Sequence, residues 1–85
     1  MRVVIPGPLL SYTGAREVHA DGATLADVLD DLDSHYPGLR FRVIDEQDGM
    51  RAHMRFFVNG EQVFDANHRL NPDDKVQIIQ ALSGG

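Results

Sequence analysis

The chain has 85 residues, 42% hydrophobic and 25% charged, which suits one small globular domain with a single core and excludes a disordered chain. Thirteen acidic residues against eight basic ones leave a net charge of -5, which argues against nucleic acid as a partner and suits a basic protein surface better. The absence of cysteine excludes disulfides, thiolate metal sites and a cysteine nucleophile, so any sulfur handled here sits on something other than a side chain of its own.

Residues 2–5 read as a short strand and residues 17–20 as a second, joined through a turn-rich stretch at Ser11, Tyr12, Thr13 and Gly14. No apolar run is long enough to span a bilayer, and Pro6-Gly7-Pro8 interrupts the first strand before a signal-peptide core could form, so the expected location is the cytoplasm, with no membrane partner. Leu25, Val28, Leu29 and Leu32 then recur at spacings of three and four, the apolar stripe of a helix. Thr24 is placed to cap it, Asp27 suits its positive end, and Tyr36-Pro37-Gly38 stops it.

Residues 39–50 read as irregular, with Phe41, Val43 and Ile44 as expected core plugs and Asp48-Gly49 as a turn. Residues 54–58 form the next predicted strand, Asn59-Gly60 is a strong hairpin signal, and residues 62–64 return. A turn at Asn71-Pro72-Asp73-Asp74 launches the last predicted strand, residues 75–82.

Strand, strand, helix, strand, short strand, strand is the order of the β-grasp, or ubiquitin-like, plan. It is an α+β fold, with a mixed sheet of about five strands and one main helix packed on one face. Residues 1–82 are the expected β-grasp domain, and residues 83–85 a flexible tail. If Phe56, Val58, Val76 and Ile78 face the helix, alternation puts Phe57 and Ile79 on the open side, where they are candidate partner-binding residues together with Leu82.

Few other residues suggest chemistry. His19, His35, His53 and His68 lack metal-ligand spacing and read as surface residues. Asp30, Asp31 and Asp33 crowd the end of the predicted helix that disfavours acids, and read as a solvated face. Residues 45–49 lack the spacing of a calcium loop. No phosphate loop, nucleophile elbow or carboxylate pair is visible, so the expectation is a protein that is not an enzyme, with no catalytic residue, no metal and no bound cofactor.

What remains is the end of the chain. Gly84-Gly85, spaced from the last strand by Ser83, lacks Cβ atoms and can thread a narrow channel. A carboxylate there is a poor electrophile until it is activated, most simply as an acyl-adenylate made with ATP by a second protein. The activated group can take sulfide or persulfide sulfur to become a thiocarboxylate, or acylate a thiol or a lysine.

With this pattern in view, the whole chain resembles the MoaD/ThiS family of small sulfur carriers, nearest to its CysO-type members. The likeness runs through Ile5-Pro6, Leu10, Tyr12-Thr13-Gly14, Gly22-Ala23-Thr24-Leu25, Tyr36-Pro37-Gly38, Phe57-Val58-Asn59 and Gly84-Gly85. It implies that Gly85 is adenylated by an E1-like, MoeB-type enzyme and converted to a 1-thioglycine thiocarboxylate, with Ser83 and Gly84 as the slender approach. It implies Phe57 and Ile79 as sheet-face contacts, and a sulfur acceptor such as a pyridoxal-phosphate cysteine synthase, with a metalloprotease that later trims the added cysteine. Ending on Gly-Gly, the chain is expected to need no maturation cleavage. Two other readings stay open: the small subunit of molybdopterin synthase, and a ubiquitin-like modifier joined to lysines.

Overall fold

The computed structural model describes residues 1–47 and 49–81. Five strands form a single sheet: β1 Arg2–Val4, β2 Glu17–His19, β3 Met54–Val58, β4 Glu61–Val63 and β5 Lys75–Gln80, in the spatial order β2-β1-β5-β3-β4. β5 runs parallel to β1, and the other pairings are antiparallel, so the last described strand occupies the middle of the sheet. This is the mixed β-grasp sheet expected from the order of elements.

Helix α2, Leu25–His35, covers one face, burying Leu25, Val28, Leu29 and Leu32. Its start follows from local chemistry: the Thr24 side chain accepts the Asp27 amide at 3.2 Å, satisfying one of the donors a helix start leaves unpaired. Gly22 lies against the same turn, where a Cβ would stand 2.6 Å from the Val28 nitrogen. No other residue fits there without moving the helix. Beneath α2 the strands contribute Val3, Val18, Phe56, Val58, Val76 and Ile78, all buried.

Asn59-Gly60 forms the expected turn, with both residues at positive φ (52° and 87°). The Asn59 side chain reaches further than a hairpin needs. Its amide donates to Asp74 Oδ1 at 2.9 Å and its carbonyl accepts from the Lys75 amide at 3.0 Å, while Asp74 Oδ2 accepts from the Asn71 amide at 2.8 Å. One polar cluster thus fastens the β3–β4 turn to the start of β5. The Asn71 amide first, and the Asn59 side chain second, hold the Asp74 carboxyl below its ordinary pKa.

Several sequence expectations change. The stretch expected to be a turn holds a 3-10 helix, Gly7–Leu9, running into a short helix α1, Leu10–Thr13, with Leu9 buried. Part of the stretch read as irregular is helix α3, Leu39–Val43. Leu39, Val43 and Ile44 are core residues, but Phe41 is 59% exposed: a turn that buries Leu39 and Val43, four residues apart, turns the residue between them outward. The last strand closes at Gln80 rather than reaching residue 82, since its partner β3 begins opposite, with Met54 paired to Gln80.

The acids at the end of α2 are not an idle solvated face. Asp33 Oδ1 accepts the Gly38 and Arg40 amides at 3.0 and 3.2 Å, Asp31 accepts the Asp21 amide at 2.9 Å, and Asp30 pairs with Arg40 at 2.7 Å. They bind the α2–α3 elbow and tie the helix to the chain leading into it, which offsets their position at the negative end of the helix dipole.

Candidate functional site: the open sheet face

Among the described residues, no helix covers the second face of the sheet. Alternation along β5 sends Val76 and Ile78 into the core and leaves Lys75, Gln77 and Ile79 facing outward. The register then sets their neighbours. Gln77 lies between Val4 on β1 and Phe57 on β3, Ile79 is paired with Arg55, and Lys75 is paired with Arg2. Phe57 is half-buried and Ile79 is 41% exposed. The structure therefore brings Phe57 and Ile79 to adjacent strands on one face, as alternation in the sequence implies.

Sequence inspection did not single out Val4 or the cations around this patch. Arg2, Arg55 and Lys75 rim the apolar residues on a chain whose net charge is negative, and Glu17 lies 3.8 Å from Arg2. The pattern was available in the alternation of strands β1 and β5, once their parallel pairing is known. An apolar centre with a cationic rim suits a partner surface of opposite charge.

The Arg55 guanidinium folds back to donate to the Ala52 and Met54 carbonyls at 2.8 and 3.1 Å, and the Ala81 amide donates to the His53 carbonyl at 2.7 Å. The final described residue is thus held to the loop that precedes β3. The expected site residues Leu82, Ser83, Gly84 and Gly85 lie outside the described residues.

The four histidines are all exposed, and among the described residues no group of three or more His, Cys, Asp or Glu side chains could hold a metal ion. Asp45 serves its own loop: the Gly49 amide, then the Gln47 amide, lower its pKa, and both donate to Oδ1 at 2.8 Å. No helix among the described residues is long and apolar enough to cross a membrane.

A second feature escaped the sequence reading. Phe41, Arg42, Arg51, His53, Met54 and Gln80 line a shallow groove beside the end of β5. The Arg51 guanidinium stacks 4.4 Å from the centre of the Phe41 ring, and its Nε donates to the Phe41 carbonyl at 2.6 Å. Finding this groove requires knowing that α3 folds back onto the loop before β3.

A profile of the ThiS family matches residues 3–85. The sulfur carrier protein CysO of Mycobacterium tuberculosis is 33% identical over 89 aligned positions, spanning 98% of this chain and 96% of that protein. A chain of the BexX/CysO complex of Amycolatopsis orientalis superposes with a TM-score of 0.91 at 30% identity, covering 99% of this chain and 98% of its own. Small archaeal modifier protein 1 of Haloferax volcanii superposes with a TM-score of 0.78 at 26% identity, covering 96% and 97%.

Proposed function

The chain belongs to the ThiS family, and from that membership we propose that it is a ubiquitin-like sulfur carrier whose working group is the carboxylate of Gly85. The supporting observation is its likeness to a CysO sulfur carrier along 98% of its length. An E1-like enzyme activates the carboxylate: a Gly85 oxygen attacks the α-phosphorus of ATP, pyrophosphate leaves, and an acyl-adenylate forms. Hydrosulfide then attacks the carbonyl carbon, AMP departs with the electron pair of the broken C–O bond, and the thiocarboxylate remains. The product is a 1-thioglycine that passes its sulfur to a biosynthetic acceptor. A pyridoxal-phosphate cysteine synthase is the acceptor class proposed here, with a metalloprotease to release the product, and the setting is the cytoplasm.

The fold supplies what this role needs. The sheet's central strand leads directly toward the tail, so a partner seated on the open face lies beside the strand that carries the reactive end. Val4, Phe57 and Ile79 form the apolar centre of that seat, and Arg2, Arg55 and Lys75 its cationic rim. The chain acts as a co-substrate, with the catalytic groups and the ATP site on its partner.

Incubation with the activating enzyme, ATP and sodium hydrosulfide is expected to add the mass difference of sulfur for oxygen, located at Gly85 by fragmentation. Deleting Gly85, or adding a residue after it, is expected to abolish ATP–pyrophosphate exchange while circular dichroism stays unchanged. Retained exchange in either variant would refute the mechanism. The likeness to small archaeal modifier protein 1 favours a second reading, conjugation to lysines of other proteins. Lysine adducts accumulating with no sulfur-for-oxygen shift would select that reading.

A further inference from the structure

The groove beside the end of β5 has no place in the carrier chemistry, yet its make-up is unusual for this chain. The protein as a whole is acidic, at -5, whereas the groove's lining is Arg42, Arg51 and His53 with Phe41, Met54 and Gln80, with no carboxylate among the described residues that line it. Asp45, on which the Arg51 charge acts, has its carboxylate already engaged by two amides of its own loop. Arg42 is exposed on the last turn of α3.

Apolar contact is available in the same place. Phe41 stays 59% exposed although it follows the buried Leu39 by two residues, and the Arg51 guanidinium holds its ring from one side. A ring immobilised this way loses little further entropy when a second surface covers it, so it is ready to act as an anchor. Free phosphate would use the cations and ignore the ring. An extended peptide with carboxylate side chains and an apolar residue would use both.

We propose that the groove formed by Phe41, Arg42, Arg51, His53, Met54 and Gln80 is a second docking site, distinct from the open sheet face, which takes an acidic segment of a partner protein. Gln80 is the last residue of β5, so a segment bound there lies against the stem of the tail and orients the partner relative to it. The proposal stands on the groove alone and does not depend on the carrier reading.

The test is a titration of the isotope-labelled protein, followed by amide chemical shifts, with a capped peptide of glutamates flanking one leucine. A glutamine analogue and inorganic phosphate at matched ionic strength serve as controls. Shifts are expected at Phe41, Arg42, Arg51, His53 and Gln80 with the acidic peptide, to be larger than with phosphate, and to be absent with the glutamine analogue. Arg42→Glu and Phe41→Ala, both at exposed side chains, are each expected to weaken the peptide about tenfold with an unchanged melting temperature. Equal shifts with phosphate, shifts of the same size around Arg2 and Lys75, or affinity unchanged by either variant would each overturn the proposal.

Discussion

The two faces of the sheet are built from the same strands and differ in everything else. Beneath α2, Phe56, Val76 and Ile78 are 0–1% exposed and belong to one buried cluster with the apolar residues of the helix. One residue along, Phe57, Gln77 and Ile79 meet no covering element among the described residues, and Arg2, Arg55 and Lys75 lie beside them. A phenylalanine pair adjacent in sequence thus does two kinds of work: Phe56 is held by close packing, Phe57 is available to be covered by something else. The hydrophobicity of a residue does not tell which; the face it occupies does.

The contrast is broken most severely at Phe56. Phe56→Ala is expected to cost about 3 to 5 kcal/mol of folding stability. In a domain of this size that is a large part of the total, and denaturant melts should show it. Phe57→Ala and Ile79→Ala should behave in the opposite sense. Each is expected to leave most of the stability in place and to cost about 2 kcal/mol or more in binding to the activating enzyme, measured by calorimetry. A melt that collapses while the folded fraction binds normally would mean that these side chains are structural.

A smaller loss is expected at the helix side's entry point. In Gly22→Ala the new methyl meets the Val28 nitrogen and the Asp27 side chain at 2.6 and 2.7 Å, and overpacking of this kind costs about 1 to 3 kcal/mol. The expected readout is a lower melting temperature with activation by the partner enzyme unchanged at a temperature where the variant is folded.

The mildest effect concerns the turn cluster. The Asp74 carboxyl is held below its usual pKa of 3.8 in the folded protein, so its contribution is present above that value and is lost as pH falls through the lower folded value. Asp74→Asn removes this dependence. Stability profiles of the two proteins should differ near neutrality and converge in acid. Parallel profiles throughout would show that the carboxylate's hydrogen bonds do not hold the β3–β4 turn to β5.

Much of this arrangement was legible because it follows from local rules. The apolar spacing of Leu25, Val28, Leu29 and Leu32, the Thr24 cap and the Asn59-Gly60 turn each act within a few residues, and the structure realises all of them. Alternation placed Phe57 and Ile79 together on the open side for the same reason. Residues 39–50 resisted because α3 has five residues, too few to establish a period, and its amphipathic face is defined by contact with α2. From the sequence Phe41 therefore reads as a core residue, although it lies on the outer side. The acids after Asp27 were misjudged for a related reason: their acceptors are satisfied by the amides of Asp21, Gly38 and Arg40, which only the folded elbow brings near.

Element type, element order and the two-faced character of each strand are consequences of short-range sterics and of periods two and 3.6 in the hydrophobic pattern, so the linear chain carries them. Which strands become neighbours is a matter of long-range packing. The parallel seating of β5 between β1 and β3 gathers Val4, Phe57 and Ile79 within a rim of Arg2, Arg55 and Lys75, and the folding of α3 onto the loop before β3 creates the Phe41–Arg51 groove. Both surfaces join residues distant in the chain, ten positions apart for Phe41 and Arg51 and more than seventy for Val4 and Gln77, and only burial of the shared core draws such residues together.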